Sequence, residues 1–354
     1  MQDSVKGVAP MVGRTVIFGL LNPESCILLV NPQSSILKAG RSCPPHYGYS
    51  PRVFARSAQI DAETLYVIGG LYGNPFALDA IDELAAAEKA APQRVFNGDF
   101  HWFDTDAPLF AQIQRRVLMH NALRGNVETE IASDDDSAGC GCAYPESVPD
   151  DDVERSNAIL RRLREVAGDV PAARSQVAAL PMFLTASIGE LRVGIVHGDA
   201  WSLAGWRFAH DALHGAGDES LEPAFQLGAV DGFASSHTCA PALRVAGEHF
   251  IINNGAAGMA NFEGETAGVI TRMSVRALPD RLYDTRLYGL NQNGVWIDAL
   301  AVRFDCAKWL ALFDRIWPPQ SPAAISYRRR IELGPAFSID QALGRATANC
   351  VIAV

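Results

Sequence analysis

The chain has no apolar run long enough to span a bilayer. The longest candidate, Val16 to Val30, is interrupted by Asn22, Pro23 and Glu24, whereas a transmembrane helix needs about 20 nearly unbroken apolar residues. A charged N-terminal segment followed by an apolar block and a small-residue cleavage site is also lacking, so no secretory leader is expected. Basic charge is scarce: 30 Lys and Arg against 40 Asp and Glu leave a net charge of −10. That balance argues against a general nucleic-acid or anionic-membrane surface, where a basic face is required. Cysteine is sparse, seven in 354 residues, unlike the dense, even-numbered frameworks of small secreted domains. These shortages predict a cytoplasmic protein with neither nucleic acid nor membrane as partner. They leave the oligomeric state open. No internal repeat is visible.

What is present is ordinary globular material. With 48% apolar and 20% charged residues, a sizeable core is expected. The length suits one large α/β domain with an appendage. Residues 1–60 are rich in Pro, Gly and Ser and read as that appendage, with one strand at Cys26 to Val30 and a turn-rich stretch at Cys43 to Pro51. The main domain, 61–354, opens with the buried-strand run Leu65-Tyr-Val-Ile68. Asn74 then suits an N-cap and Pro75 the first helical position, with Leu78, Ile81, Leu84 and Ala85 at helical spacing. A second strand, Arg94 to Asn97, ends in Gly98-Asp99. A helix from about Asp106 to His120 follows, and a third short strand ends in Gly125-Asn126. This β-α-β-α-β alternation implies parallel strands with crossover helices. In such sheets ligands sit beyond the carboxyl ends of the strands. Three strand ends therefore present Gly70 and Tyr72, Asp99, and Asn126 on one rim.

Residues 133–152 break the pattern. Two acidic runs, Asp134 to Asp136 and Asp150 to Asp152, flank Gly139-Cys-Gly-Cys142, and the segment reads as a solvated acidic insertion at the edge of the site. Cys140 and Cys142 lie too close in sequence for an ordinary disulfide. A flexible loop is favoured for them over metal ligation or redox chemistry. A helix from Val153 to Ala167 is expected next. Met182 to Ile188 and Leu191 to Val196, joined by Gly189-Glu190, read as a hairpin. Its second strand ends in His197-Gly198-Asp199. Two further apolar runs end in Ser236-His237-Thr238 and in Asn253-Asn254-Gly255. Residues 276–354 form a C-terminal extension with more strands and a helix near Ala307 to Phe313.

Asp, Asn, His and His, each closing an apolar run, are hard and borderline donors suited to a divalent transition metal. With these clusters in this order, the sequence resembles the calcineurin-like metallophosphoesterases. Their signature runs Asp-x-His-Gly-Asn, Gly-Asp, Gly-Asn-His-Asp/Glu, His-Gly, Gly-His-Thr-His and Asn-x-Gly-Ser. The corresponding stretches are Gly70-Leu-Tyr-Gly-Asn74, Gly98-Asp99, Gly125-Asn-Val-Glu128, His197-Gly198, Ser236-His-Thr-Cys239 and Asn253-Asn-Gly-Ala256. The similarity covers about Thr64 to Val275.

The resemblance implies a four-layer α/β/β/α sandwich. It also implies a metal-dependent phosphoric ester hydrolase, a phosphodiesterase or phosphatase acting on a small phosphorylated substrate through hydroxide on the metal. Asp99, Asn126, His197 and His237 would hold a divalent transition ion (Mn, Fe, Zn or Ni), and Asn126 would also contact the phosphoryl oxygen. The family binds two metals, but three ligand positions of one half-site here carry Gly70, Tyr72 and Cys239. One ion is therefore expected rather than two. Val127 replaces the histidine that assists the leaving group, a loss of about 10² to 10⁴ in rate.

Two rescues are open on this reading. Tyr72 phenolate and Cys239 thiolate join Asp99 around the metal, or His101 swings in as ligand or acid. Against them, Tyr72 serves simply to cap the sheet, Cys239 is a buried filler, and His101 is a core residue of the cluster Phe100-His-Trp-Phe103. Glu128, Asp199 and Asn253 are expected to orient the ligands. His46, His120, His210, His214 and His249 fall in no usable pattern. The alternative function is an inactive scaffold or sensor that keeps the fold. A dinucleotide-binding domain, suggested by Gly69-Gly70-Leu-Tyr-Gly73, lacks the full Gly-x-Gly-x-x-Gly pattern.

Overall fold

A computed structural model describes residues 38–215 and 217–344. The expected strand at Cys26 to Val30 lies outside them. Two six-stranded sheets form the centre. The first contains β1 (Ile60–Asp61), β5 (Phe183–Ile188), β6 (Leu191–Val196), β7 (Gly232–Ser235), β8 (Pro241–Ala246) and β9 (His249–Asn254), in the order β1-β5-β6-β7-β9-β8. The second contains β2 (Thr64–Ile68), β3 (Gln93–Asn97), β4 (Asn121–Leu123), β10 (Gly268–Ser274), β11 (Arg286–Gln292) and β12 (Val295–Val302), in the order β11-β12-β10-β2-β3-β4. Strands β2, β3 and β4 are mutually parallel, as the alternation predicts. So are β6, β7 and β9. The rest of each sheet is added largely antiparallel. Residues 286–302 supply two strands of the second sheet, and β5 and β6 form the expected hairpin.

Alternation along the strands sorts the residues into layers. In β2, Leu65 and Val67 face the first sheet and join Val193, Ile195 and Ile252 in a core between the sheets. Tyr66 and Ile68 point the other way, under helices α1 (Pro75–Ala86), α2 (Ala107–Val117), α3 (Asn126–Ala132), α4 (Asp150–Asp169) and α5 (Ala173–Ala178). Helices α6 (His210–Gly215) and α7 (Glu222–Gly228), with a 3₁₀ turn at Pro51–Ala55, cover the outer face of the first sheet through Phe54, Phe225 and Phe233. Helices α8 (Cys306–Ile316) and α9 (Pro322–Leu333) extend the α1–α5 layer, and α10 (Ile339–Leu343) packs at the edge of the first sheet. This is the four-layer α/β/β/α sandwich that the resemblance implies.

Local chemistry sets the helix starts that position the site. The Asn74 side chain accepts from the backbone N–H groups of Phe76 and Ala77, and Pro75 occupies the first position of α1. Such a cap contributes about 1 kcal/mol. Asp106 caps α2 in the same way at Leu109. That helix ends at Val117, three residues before the sequence pattern suggests.

The acidic insertion differs from its expectation. Asp150, Asp151 and Asp152 are the first turn of α4, where carboxylates complement the helix dipole. The Asp134–Ser137 tip is exposed, while Ala138, Cys140 and Cys142 are buried. The flexible-loop reading of Cys140 and Cys142 is therefore corrected. Gly40 N–H donates to Ala138 O, and Asn157 Oδ1 accepts from Cys140 N–H, pinning the segment on both sides. No helix among the described residues is long and apolar enough to cross a membrane.

Candidate metal centre

Strand ends from both sheets meet at one point. β3 delivers Asp99, β4 delivers Asn126 at the start of α3, β6 delivers His197, and the turn after β7 delivers His237. Ligand atoms of Asp99, His197 and His237 lie within 4.8 Å of one another, and all three residues are buried. His197 Nε2 is 3.0 Å from Asn126 Oδ1, 3.1 Å from His237 Nδ1 and 3.3 Å from Asp99 Oδ1.

The outer hydrogen bonds fix which atoms face inward. His197 Nδ1 lies 2.9 Å from Asn97 O, so it donates there and turns Nε2 to the centre. His237 Nε2 lies 3.1 Å from Cys142 O, which turns Nδ1 inward. Asn126 Nδ2 donates to Cys140 O, which leaves Oδ1 facing the imidazoles. Four acceptors thus converge with no side-chain donor of their own assigned to the centre. Lone pairs facing one another at about 3 Å repel unless a cation or proton sits among them. The donor set of one carboxylate, one amide oxygen and two imidazoles fits a divalent transition ion.

Electrostatics agrees with that reading. Burial and the neighbouring His197 push the His237 pKa down to about 3, so it is the neutral form that a metal requires. For His197 burial pulls the pKa down, but the Asp99 carboxylate and the hydrogen bonds around the ring raise it overall.

Backbone geometry brings the strand ends this close. Gly98 has φ +94°, and a Cβ there would lie 2.6 Å from both Gly125 N and His197 Nδ1. Asp99, Tyr72 and Cys239 are non-glycine residues with φ of 51°, 55° and 57°. Such left-handed residues cost about 1 kcal/mol or more and collect at functional sites. Glu128 holds the bend together. Its carboxylate accepts from the backbone N–H groups of Gly125, Asp99, Phe100 and His101. Burial and nearby Asp99 push its pKa up.

The other sequence-selected residues fall in different places. Tyr72 and Cys239, expected as further ligands, are instead hydrogen-bonded to each other, with Oη and Sγ 2.6 Å apart. Burial raises both pKa values, keeping phenol and thiol protonated. His101, expected as ligand or acid, is stacked on Phe110 at 3.7 Å. Its two nitrogens face Asp104 Oδ2 at 2.6 Å and Gln114 Oε1 at 3.3 Å. It is a core residue whose polar atoms are already committed. Asp199 organises its own turn by accepting from the N–H groups of Trp201, Ser202 and Arg207, and it does not touch the ligands. Asn253 reaches the site indirectly: its Nδ2 donates to Thr238 Oγ1, beside His237.

In front of the cluster lies a cavity of about 190 Å³. Asp99, Asn126 and His237 form its floor. Trp102, Val127, Tyr144, Trp206 and Tyr327 form apolar walls, and Arg330 stands at one side. None of these wall residues except Val127 was flagged by the sequence, because aromatic residues on separate loops and helices leave no spacing signal. The carbonyls of Cys140 and Cys142 were likewise invisible, since every residue carries one.

No family model matches the chain, and no curated protein matches it. Solved structures do. The hypothetical protein PH1004 from Pyrococcus horikoshii OT3 is 16% identical over 78% of this chain and 100% of its own, with a TM-score of 0.52. A metallophosphoesterase from Sphaerobacter thermophilus is 14% identical over 77% of this chain and 100% of its own, with a TM-score of 0.48. Vps29 of Chaetomium thermophilum is 16% identical over 69% and 98%, with a TM-score of 0.34. At these identities the likeness to the Pyrococcus protein is one of fold, the two-sheet sandwich whose strand ends carry Asp99, Asn126, His197 and His237.

Proposed function

We propose that this chain is a metal-dependent phosphoric ester hydrolase acting on a small phosphorylated substrate. The observation that carries the proposal is the convergence of Asp99, Asn126, His197 and His237 as inward-facing acceptors, with Asp99, Asn126 and His237 forming the floor of a cavity. These four residues would hold a divalent ion, which would supply Lewis-acid polarisation and lower the pKa of water at the site. The chain's own residues do the rest. Asn97 O and Cys142 O orient the two imidazoles, and Cys140 O keeps the Asn126 oxygen turned to them. The apolar wall excludes bulk water, which strengthens every charge interaction at the floor. Val127 carries no proton where the resemblance expects a histidine, and burial raises the pKa of Tyr72, Tyr144, Cys142 and Cys239, so each gives up its proton reluctantly. The leaving group therefore departs with little help, and esters of acidic alcohols are favoured.

The test is turnover of nitrophenyl phosphate mono- and diesters by the purified chain with added Mn²⁺ or Ni²⁺. A rate well above that of Asp99→Ala is expected. Equal rates would reject the hydrolase reading. The second reading, a scaffold that keeps the fold, draws support from the Tyr72–Cys239 pair, which occupies positions where the resemblance expects ligands. A chain that binds no metal and turns over no ester favours it.

A further inference from the structure

We propose that Arg330 and the aromatic walls of the cavity make this a site for phosphoesters carrying a flat aromatic group, with the Arg330 guanidinium holding the phosphoryl oxygens opposite the metal ligands. This inference deepens the hydrolase reading and rests on it. Arg330 is on α9, in the last turn before Gly334. Its Nε donates to Ala260 O at 3.0 Å and its Nη2 to Cys239 O at 2.6 Å. Two carbonyls therefore lock the planar fork in place at low entropic cost. Nη1 has no hydrogen-bond partner among the described residues. Arg330 is also the one Lys or Arg side chain lining the cavity among them. A phosphoryl group carries up to two negative charges. The metal cluster can answer one side of it, and a pre-positioned guanidinium answers the other.

The remaining wall selects what the phosphoryl group is attached to. Tyr327 lies one helical turn before Arg330 on α9, so both project from the same face. Its ring meets Trp102 edge-on at 6.5 Å. Tyr144 and Trp206, which also line the cavity, are 6.0 Å apart, and Trp206 meets the His237 ring at 5.4 Å. Four rings around one small cavity favour a planar aromatic guest, since each stacked or edge-on pair adds about 0.5–1.5 kcal/mol beyond burial.

The experiment uses the full chain loaded with Mn²⁺ and two phosphonates that cannot be hydrolysed, phenylphosphonate and methylphosphonate, titrated by calorimetry. Phenylphosphonate is expected to bind about tenfold more tightly. Trp206→Ala and Trp102→Leu are expected to bring that ratio close to one. Arg330→Met is expected to weaken both ligands by about tenfold or more, with Arg330→Lys in between. Circular dichroism and melting temperature identify a variant that fails to fold. If Arg330→Met fails, the lysine variant and the two tryptophan variants carry the test. Equal affinities for the two phosphonates, or Arg330 variants that fold and bind both as the wild type does, would overturn the inference. Ester turnover is read separately. Phenyl selectivity without turnover would sink the hydrolase reading alone, and turnover without selectivity would sink this inference alone.

Discussion

His197 Nε2 and His237 Nδ1 face each other at 3.1 Å, and the opposite nitrogen of each ring is turned to a backbone carbonyl. Two imidazoles held in this way are an unfavourable pair in isolation. They become favourable around a cation. A first expected outcome is one divalent ion per chain after loading with Mn²⁺ or Zn²⁺ and gel filtration, read by elemental analysis. His237→Ala and Asp99→Ala should each lower affinity by roughly 100-fold or more, judged against the roughly 10–100-fold usual for residues one step further out. Metal should also raise the melting temperature of the wild type and not of these variants.

Gly98→Ala should be far more harmful than a methyl group suggests. The added carbon would enter the space of Gly125 N and His197 Nδ1 at a backbone φ of +94°. A loss of roughly 2–4 kcal/mol in urea-induced unfolding is expected, with weaker metal binding. Wild-type stability in that variant would show that the strand ends do not need so close an approach.

Glu128→Gln tests the carboxylate that ties Asp99 to Gly125. An amide offers one oxygen where the carboxylate offers two, so some of the four N–H groups at Gly125, Asp99, Phe100 and His101 lose their acceptor. About 1–3 kcal/mol of stability should be lost for each donor left buried and unpaired. Metal affinity should fall with it. His101→Ala offers the contrast. It leaves Asp104 Oδ2 without its partner and should cost about 2–3 kcal/mol, while the metal stoichiometry stays at one.

Acid should weaken the fold through two histidines remote from the cluster. His120 is held below its ordinary value of 6.5 by burial and then by Arg94, and His214 by burial, against the hydrogen bond that its Nε2 donates to Ala342 O. The unfolded chain takes up protons near 6.5 that the folded chain refuses until lower pH, so their contribution is complete above that value and shrinks below it. Thermal melts at pH 7.5 and 5.5 should show the loss. His120→Gln should reduce the difference, and an unchanged difference would exclude His120 as a source.

The fold was legible where the chain alternates regularly. Leu65 to Ile68 with Asn74-Pro75, and Arg94 to Asn97 with Asp106, carry both a period and a capping signal, and the helices begin where those signals place them. Strands that depend on partners were harder to see. β11 and β12 are recognisable only once β10 supplies an edge to pair with. The acidic runs misled because charge alone does not distinguish an exposed loop tip, as at Asp134 to Ser137, from the first turn of α4. In the site, side-chain donors at strand ends were readable one by one. The contacts that aim them were not, because Asn97 O, Cys140 O and Cys142 O are atoms common to every residue. Arg330 and Tyr327 reach the cavity only through the path of α9, which no local pattern foretells.

The segment from Gly139 to Cys142 deserves to be treated as a splint. One carbonyl in it steadies the Asn126 amide, and a second steadies the His237 ring together with the Trp206 indole. Shortening or replacing that segment would disturb donors from both sheets together. Grafting the four donors into another sandwich would therefore fail unless this stretch of backbone travelled with them.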